Sequence, residues 1–175
     1  MNKGLREFRG AVHADASIAD RVLCSVIGFG EEPKVMHGLY LAGEVAELPP
    51  PGPCAGTNFG PVFTCLRSAI EEDFRLLDAH RVRVHRPLVF FLSDGQPTDP
   101  VTWPAAFSSL CDPAWVRRPR VVAFGVGDAD EEALGRIGTF RTYLSRDGVR
   151  LGTALIASVM HVLSTSGPPP GRTLS

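Results

Sequence analysis

Apolar side chains recur along the chain with two different spacings. Helical spacing predicts a long helix over residues 58–79, in which Phe59, Val62, Phe63, Leu66 and Ile70 form part of one apolar stripe. Pro61 fits the first turn of that helix, where its missing N–H removes no hydrogen bond. The same spacing, with turn and capping signals, predicts further helices over residues 2–14, 104–110, 128–138 and 152–166.

Continuous apolar runs bounded by glycine, proline or charge predict strands over residues 21–30, 34–42, 88–93 and 120–127, with a weak edge strand over 142–146. The first two are joined by residues 31–33, a connection that permits only an antiparallel pair. The later strands alternate with helices, which indicates parallel crossovers. The sequence therefore predicts an α/β fold, a Rossmann-like three-layer sandwich with a mostly parallel sheet and one antiparallel edge strand.

A chain of 175 residues is of the length of one domain, which we place at residues 1–166. Within it, residues 47–57 are a proline-rich loop. The proline-rich tail over residues 167–175 has the composition of a disordered segment.

Composition excludes several classes of protein. A formal net charge of −1 argues against nucleic-acid binding driven by a basic field, and no apolar run has the length of a membrane span. The four cysteines are scattered without a close pair, which predicts a reducing cytoplasm rather than a disulfide framework or a zinc site.

The candidate chemistry lies where the apolar run over residues 88–92 gives way to Ser93, Asp94 and Gly95. In open α/β sheets, ligands bind beyond the carboxyl ends of the strands. The sequence therefore predicts that Asp94 lies at a binding edge. Asp-Gly is also a favoured turn pair, so a plain turn is the competing interpretation.

Three segments carry a resemblance to a known family. "VFFLSDGQPTD", preceded by "AGTNFGPVFTCL" and followed by "VVAFGVGDADEEAL", resembles the von Willebrand factor type A domain. The nearest likeness is to the bacterial cytoplasmic branch that includes tellurium-resistance-associated proteins. The resemblance covers the chain to about Ser166.

The resemblance implies a metal-ion-dependent adhesion site, abbreviated MIDAS. At the matching positions Thr57 and Asp94 would be ligands of Mg²⁺ or Mn²⁺, hard cations that prefer oxygen. An open position on the cation would accept an acidic side chain of a partner protein. The partner-binding rim would comprise Gly56, Asn58, Ser93, Gly95 and Gln96. This function is binding, not catalysis.

The first family motif, Asp-x-Ser-x-Ser, is absent, and with it the family's first strand, which is central in the sheet. The chain is then either a fragment or a degenerate member that no longer binds metal. A missing central strand would leave backbone groups unpaired on both neighbouring strands. We therefore expect instability, altered strand pairing, or strand-swapped self-association.

Alternatives remain for individual residues. Thr57 could instead be the N-cap of the helix from Asn58, and Thr98 and Asp99 could begin the next turn or helix. Trp103 and Trp115 are core anchors or parts of a binding rim.

Other functions are less well supported by the sequence. "SDGQPTD" has only a superficial similarity to the nucleophile loop of dehalogenase-like phosphatases, because Leu92 replaces the paired carboxylate. The "GFG" and "GVG" segments do not extend to a dinucleotide-binding motif. A metal-free structural remnant is the third possibility.

Overall fold

The computed structural model describes residues 10, 13–14, 16–44, 56–148 and 150–165. The predicted helix over residues 2–14 lies mostly outside this range, although residues 10, 13 and 14 are helical. The predicted tail and most of the proline-rich loop also lie outside the described residues.

Apart from a short helix over residues 16–19 that the sequence did not predict, the described elements follow the order expected from the sequence, with ends that differ by a few residues. The helices are α1 (Ala16–Ala19), α2 (Phe59–Ala79), α3 (Trp103–Leu110), α4 (Glu131–Ile137) and α5 (Leu151–Thr165). The strands are β1 (Leu23–Gly28), β2 (Lys34–Leu41), β3 (Leu88–Ser93), β4 (Arg120–Gly125) and β5 (Arg141–Leu144). Short 3₁₀ turns cover Ala42–Glu44 and Ser145–Asp147.

The described strands form two sheets. β1 and β2 make an antiparallel pair, in register from Leu23 opposite Leu41 to Gly28 opposite Lys34, with a bulge between Cys24 and Ile27. β3, β4 and β5 make a parallel sheet with β4 in the centre. The antiparallel pair and the parallel crossovers confirm the predicted α/β class. Among the described strands, no ladder joins β1 to β3.

Helices cover both faces of the strand layer, which gives the three layers of the prediction. On one face, α2, α3 and α4 pack on the layer in a core that contains Phe59, Phe63, Phe91 and Leu134. On the other face α5 packs through Leu151, Ala154 and Leu155. Because β4 is covered on both faces and flanked by strands, five of its six residues are buried.

The helix α2 spans the two sheets on its side of the layer. Phe59 packs edge-on against Phe29, which directly follows β1, and against Phe91 of β3. Phe29 and Phe91 stack with ring centroids 5.2 Å apart. Trp103, only 3% exposed, completes this aromatic cluster. Its burial supports the core interpretation of Trp103 over the rim interpretation.

Candidate functional site

Three loops converge at the carboxyl ends of β1 and β3. The backbone N–H of Asn58 donates to the carbonyl oxygen of Gly30 at 2.9 Å, and its side-chain Nδ2 donates to that of Glu31 at 3.1 Å. These two bonds join the loop before α2 to the loop after β1. Gly56 lies at the same junction, because a Cβ atom there would lie 3.4 Å from Thr98 Oγ1.

Thr57 is held against the loop after β3 by its own backbone. Its N–H donates to the hydroxyl of Thr98, and its carbonyl oxygen accepts from the Thr98 N–H, both at 3.1 Å. The Thr98 hydroxyl in turn donates to Asn58 Oδ1 at 2.7 Å. The Thr57 side chain makes none of these bonds, so its hydroxyl is not consumed in holding the loops together.

The loop after β3 brings Asp94 to the same rim as Thr57. The Thr57 hydroxyl lies 3.8 Å from the position that a Cβ atom would take on Gly95, the residue after Asp94. Asp94 and Gln96 are exposed, whereas Thr57 is half-buried. The structure therefore places the Thr57 hydroxyl beside the Asp94–Gly95 turn, although the two segments are far apart in sequence.

Ser93 differs from its predicted place on the rim. It is 2% exposed, and its hydroxyl lies 3.2 Å from the Gly95 carbonyl oxygen and 3.4 Å from the Gly95 nitrogen. Its own carbonyl oxygen accepts from Val126, which ties the loop to β4. Ser93 thus shapes the turn that carries Asp94 and is not accessible to a partner.

Asp99 has a structural role that the sequence interpretation missed. Its carboxylate accepts from the backbone N–H groups of Phe59 and Gly60, at 2.8 and 2.7 Å. These groups belong to the first turn of α2, where the helix dipole favours a negative charge. Its carbonyl oxygen accepts from Thr102 and Trp103, so the predicted turn into the next helix is also present.

The alternative role of Thr57 as a helix N-cap is wrong. The helix begins at Phe59, its N-cap residue is Asn58, and that residue makes no side-chain capping bond. Asp99 caps the helix from a distance instead. Asp99 therefore has both carboxylate oxygens engaged by backbone donors.

The two proposed ligand side chains suit a hard cation, but they are fewer than such an ion needs. The side chains of Thr57 and Asp94 supply oxygen, as Mg²⁺ and Mn²⁺ prefer, whereas an octahedral ion needs six ligands. Within the described ranges, no group of three or more His, Cys, Asp or Glu residues could hold a metal ion. No described helix has the length and apolarity needed to cross a membrane.

Comparison with known proteins identifies the fold. No protein-family model and no curated protein matches the sequence. Among solved structures, proximal thread matrix protein 1 from the mussel byssus matches with a TM-score of 0.57 and 17% identity, over 96% of this chain and 42% of that one. The same mussel protein with a zinc-occupied MIDAS motif gives 0.52 and 18%, over 87% and 40%.

The fold is that of a von Willebrand factor type A domain. At this level of identity the similarity establishes the architecture and not the chemistry. The chain spans about two fifths of the length of the mussel protein. The fold predicted from the sequence is confirmed, while the assignment of Thr57 and Asp94 as metal ligands stays a prediction.

Proposed function

We propose that this von Willebrand A domain is a non-catalytic module that binds another protein through the rim formed by Gly56, Thr57, Asn58, Asp94, Gly95 and Gln96. The observation that carries the proposal is the approach of the Thr57 hydroxyl to the Asp94–Gly95 turn, at the carboxyl edge of the strands. Parallel α/β layers bind ligands at this edge. The bonds made by Thr98 and Asp99 keep the two loops together without using the side chain of either proposed ligand.

A divalent cation is the natural link to the partner. Mg²⁺ or Mn²⁺ would be held by the Thr57 hydroxyl and the Asp94 carboxylate and would take its other ligands from water and an acidic side chain of the partner. The mussel protein of similar fold has a zinc-occupied MIDAS motif, which supports metal binding as part of this proposal. The tellurium-resistance branch and a cytoplasmic location remain predictions from the sequence.

Cation binding can be tested with Mn²⁺ alone, followed by electron paramagnetic resonance. We expect saturable binding that weakens about tenfold or more in Asp94→Asn and in Thr57→Ala. Glu72→Gln is the matched control, since it removes an exposed carboxylate from the middle of α2 and is expected to leave binding unchanged.

The proposed partner contact is tested by adding acetate as a stand-in for an acidic side chain. If the bound ion has an open position, acetate is expected to change the Mn²⁺ spectrum of the wild type and not that of Asp94→Asn. Equal binding by all four proteins would refute the assignment of the ligands. Absence of Mn²⁺ and Mg²⁺ binding by the wild type would favour the metal-free structural remnant.

A further inference from the structure

Two arginine-rich loops lie side by side at the amino ends of β3 and β4. One connects α2 to β3 over residues 80–87, and the other precedes β4 over residues 111–119. The guanidinium group of Arg86 donates to the carbonyl oxygens of Arg118 and Pro119, at 2.6 and 3.0 Å. These bonds join the two loops into one surface, on the edge of the strand layer opposite the proposed cation site.

Positive charge on this surface is mostly without a carboxylate partner among the described residues. We call it the arginine surface and define it by Arg81, Arg83, Arg86, Arg117, Arg118 and Arg120. Its one ion pair with a described residue joins Arg117 to Asp78 at 2.7 Å. The guanidinium groups of Arg86 and Arg118 bond to carbonyl oxygens, which hold them in place and leave their charge uncompensated.

The guanidinium groups lie close enough to repel one another. Desolvation lowers the pKa of the Arg86 guanidinium, and the charges of Arg118 and Arg120 lower it further. Like charges gathered in one place reduce the stability of a folded chain. The formal net charge of −1 conceals this one-sided distribution. A bound anion would relieve the repulsion.

Arg81 occupies a backbone position that favours glycine. It follows His80, the C-cap of α2, and has a φ of +58°. Its N–H donates to the Asp78 carbonyl oxygen and the N–H of Val82 donates to that of Leu77, at 3.0 and 2.9 Å. Helices often end in this pair of bonds, with glycine at the left-handed residue because a Cβ atom is strained there. Arginine at this position therefore costs stability and adds a charge to the surface, a combination typical of functional sites.

Exposed valines lie among the arginines. Val82 is 43% exposed and Val116 is 88% exposed. The nearby ring of Trp115 is covered by Arg67, whose guanidinium carbon lies 4.5 Å from the ring centroid. Single-stranded nucleic acids stack their bases on aromatic rings, whereas this surface exposes aliphatic groups. Cations mixed with aliphatic groups are suited to a peptide that carries both carboxylates and apolar side chains.

We propose that the arginine surface binds an acidic segment of a partner protein that also carries apolar side chains. Guanidinium groups bind carboxylates through two parallel hydrogen bonds, which gives such a contact both strength and geometry. The acidic residues near α4 of a second copy are less suited, because Asp130 caps that helix and Glu131 pairs with Arg146. The surface lies on the opposite edge from the cation site, so the proposal does not rest on that site.

The test uses the whole 175-residue chain in metal-free buffer, so that its outcome does not depend on a bound cation. The probe is a dye-labelled synthetic peptide in which aspartate and glutamate alternate with valine. The matched control peptide has asparagine and glutamine in place of the acids. Binding is followed by fluorescence anisotropy, and stability by thermal unfolding.

We expect saturable binding of the acidic peptide that weakens as salt is added, and at least about tenfold weaker binding of the amide peptide. Arg83→Gln should weaken binding of the acidic peptide about threefold or more. Arg81→Gly should weaken it similarly and yet raise the midpoint of thermal unfolding, which separates loss of binding from loss of structure. Arg150→Gln is the matched control, an exposed arginine beyond the carboxyl end of β5, and should leave binding unchanged.

Several results would overturn the proposal. One is absence of binding by the wild type, and another is equal binding of the two peptides. Binding by Arg81→Gly and Arg83→Gln that is as tight as that of the wild type would remove the surface from the contact. Tighter binding of a labelled oligothymidylate than of the acidic peptide would assign the surface to nucleic acid. Self-association in analytical ultracentrifugation that Arg83→Gln abolishes would assign it to a second copy.

Discussion

The carboxylate of Asp99 lies 2.7 Å from the backbone nitrogen of Gly60, a residue 39 positions earlier in the chain. The adjacent N–H of Phe59 donates to the other oxygen of the same carboxylate. One side chain thus satisfies two of the free donors at the start of α2. Since Thr57 lies two residues before Phe59, the same contact fixes the loop that carries the proposed ligand.

Removal of this carboxylate should destabilise the domain. We expect Asp99→Ala to lower the free energy of unfolding by about 2 kcal/mol, because the buried Phe59 would keep an unpaired N–H group. Asp99→Asn, which retains one acceptor oxygen, should lose less. Urea denaturation measures both. Glu72→Gln controls for loss of charge, and an Asp99→Ala protein as stable as this control would contradict the capping role.

Two glycines near α4 should respond to alanine with opposite signs. A Cβ atom on Gly138 would lie 2.7 Å from the Arg141 carbonyl oxygen and closer still to Thr142 Oγ1, so Gly138→Ala should cost about 1–3 kcal/mol. A Cβ on Gly135, inside the helix, would meet nothing within 4 Å. Gly135→Ala should therefore stabilise by about 0.5–1 kcal/mol. Thermal unfolding of the two variants would reveal any departure from this order.

Asp73 on α2 should make stability depend on pH. Partial burial raises the pKa of its carboxyl group, an effect that the hydrogen bond from Ser25 opposes and the nearby Glu72 charge reinforces. A raised folded-state pKa means that the acid's contribution is fully present below the unfolded pKa and is lost as the pH rises through the folded pKa. Charged Asp73 is thus the less favourable form at neutral pH.

Asp73→Asn keeps an acceptor for Ser25 and removes the charge. At pH 7 we expect it to be more stable than the wild type by on the order of 0.5 kcal/mol, with the difference shrinking as the pH falls through the raised folded-state pKa of Asp73 and vanishing below the ordinary value for an aspartate. Urea unfolding at pH 7 and pH 4 measures the change. A gain that is the same at both pH values would show that the charge is not its cause.

Thr98 should matter more than its exposed position suggests. Its hydroxyl accepts from the Thr57 N–H and donates to Asn58 Oδ1, so Thr98→Val should cost about 1 kcal/mol and speed amide exchange at Thr57. Thr64→Val is the matched control, an exposed threonine whose hydroxyl bonds only within α2. Unchanged exchange at Thr57 in Thr98→Val would show that the loops are held together by other contacts.

Local patterns were sufficient to predict the described strands and all the described helices except α1. The strand over residues 88–93 has the predicted bounds, and the helix predicted over residues 58–79 ends where predicted and begins one residue later, because apolar runs and helical stripes are properties of neighbouring residues. The helix predicted over residues 128–138 begins three residues later, where the Asp130 side chain accepts from the Ala133 N–H and caps it. Capping by a nearby residue shifts an end without changing the element.

Contacts between residues far apart in the chain could not be predicted from local sequence patterns. Asp99 caps a helix that begins forty positions earlier, and no pattern near either residue signals the pairing. The burial of Ser93 likewise depends on the turn at Gly95 and on Val126. The family resemblance implies a place on the rim for Ser93, whereas its neighbours in space bury it.

The division of the described strands into a hairpin and a parallel sheet has a mechanical consequence. Side chains, including the stacked rings of Phe29 and Phe91, connect the two parts where no ladder of hydrogen bonds between described strands does so. A force pulling β1 away from β3 would have to peel apart apolar contacts one after another instead of shearing a row of backbone bonds together. Under a pulling force, β1 should therefore separate from β3 at a low force, well before the three parallel strands separate from one another.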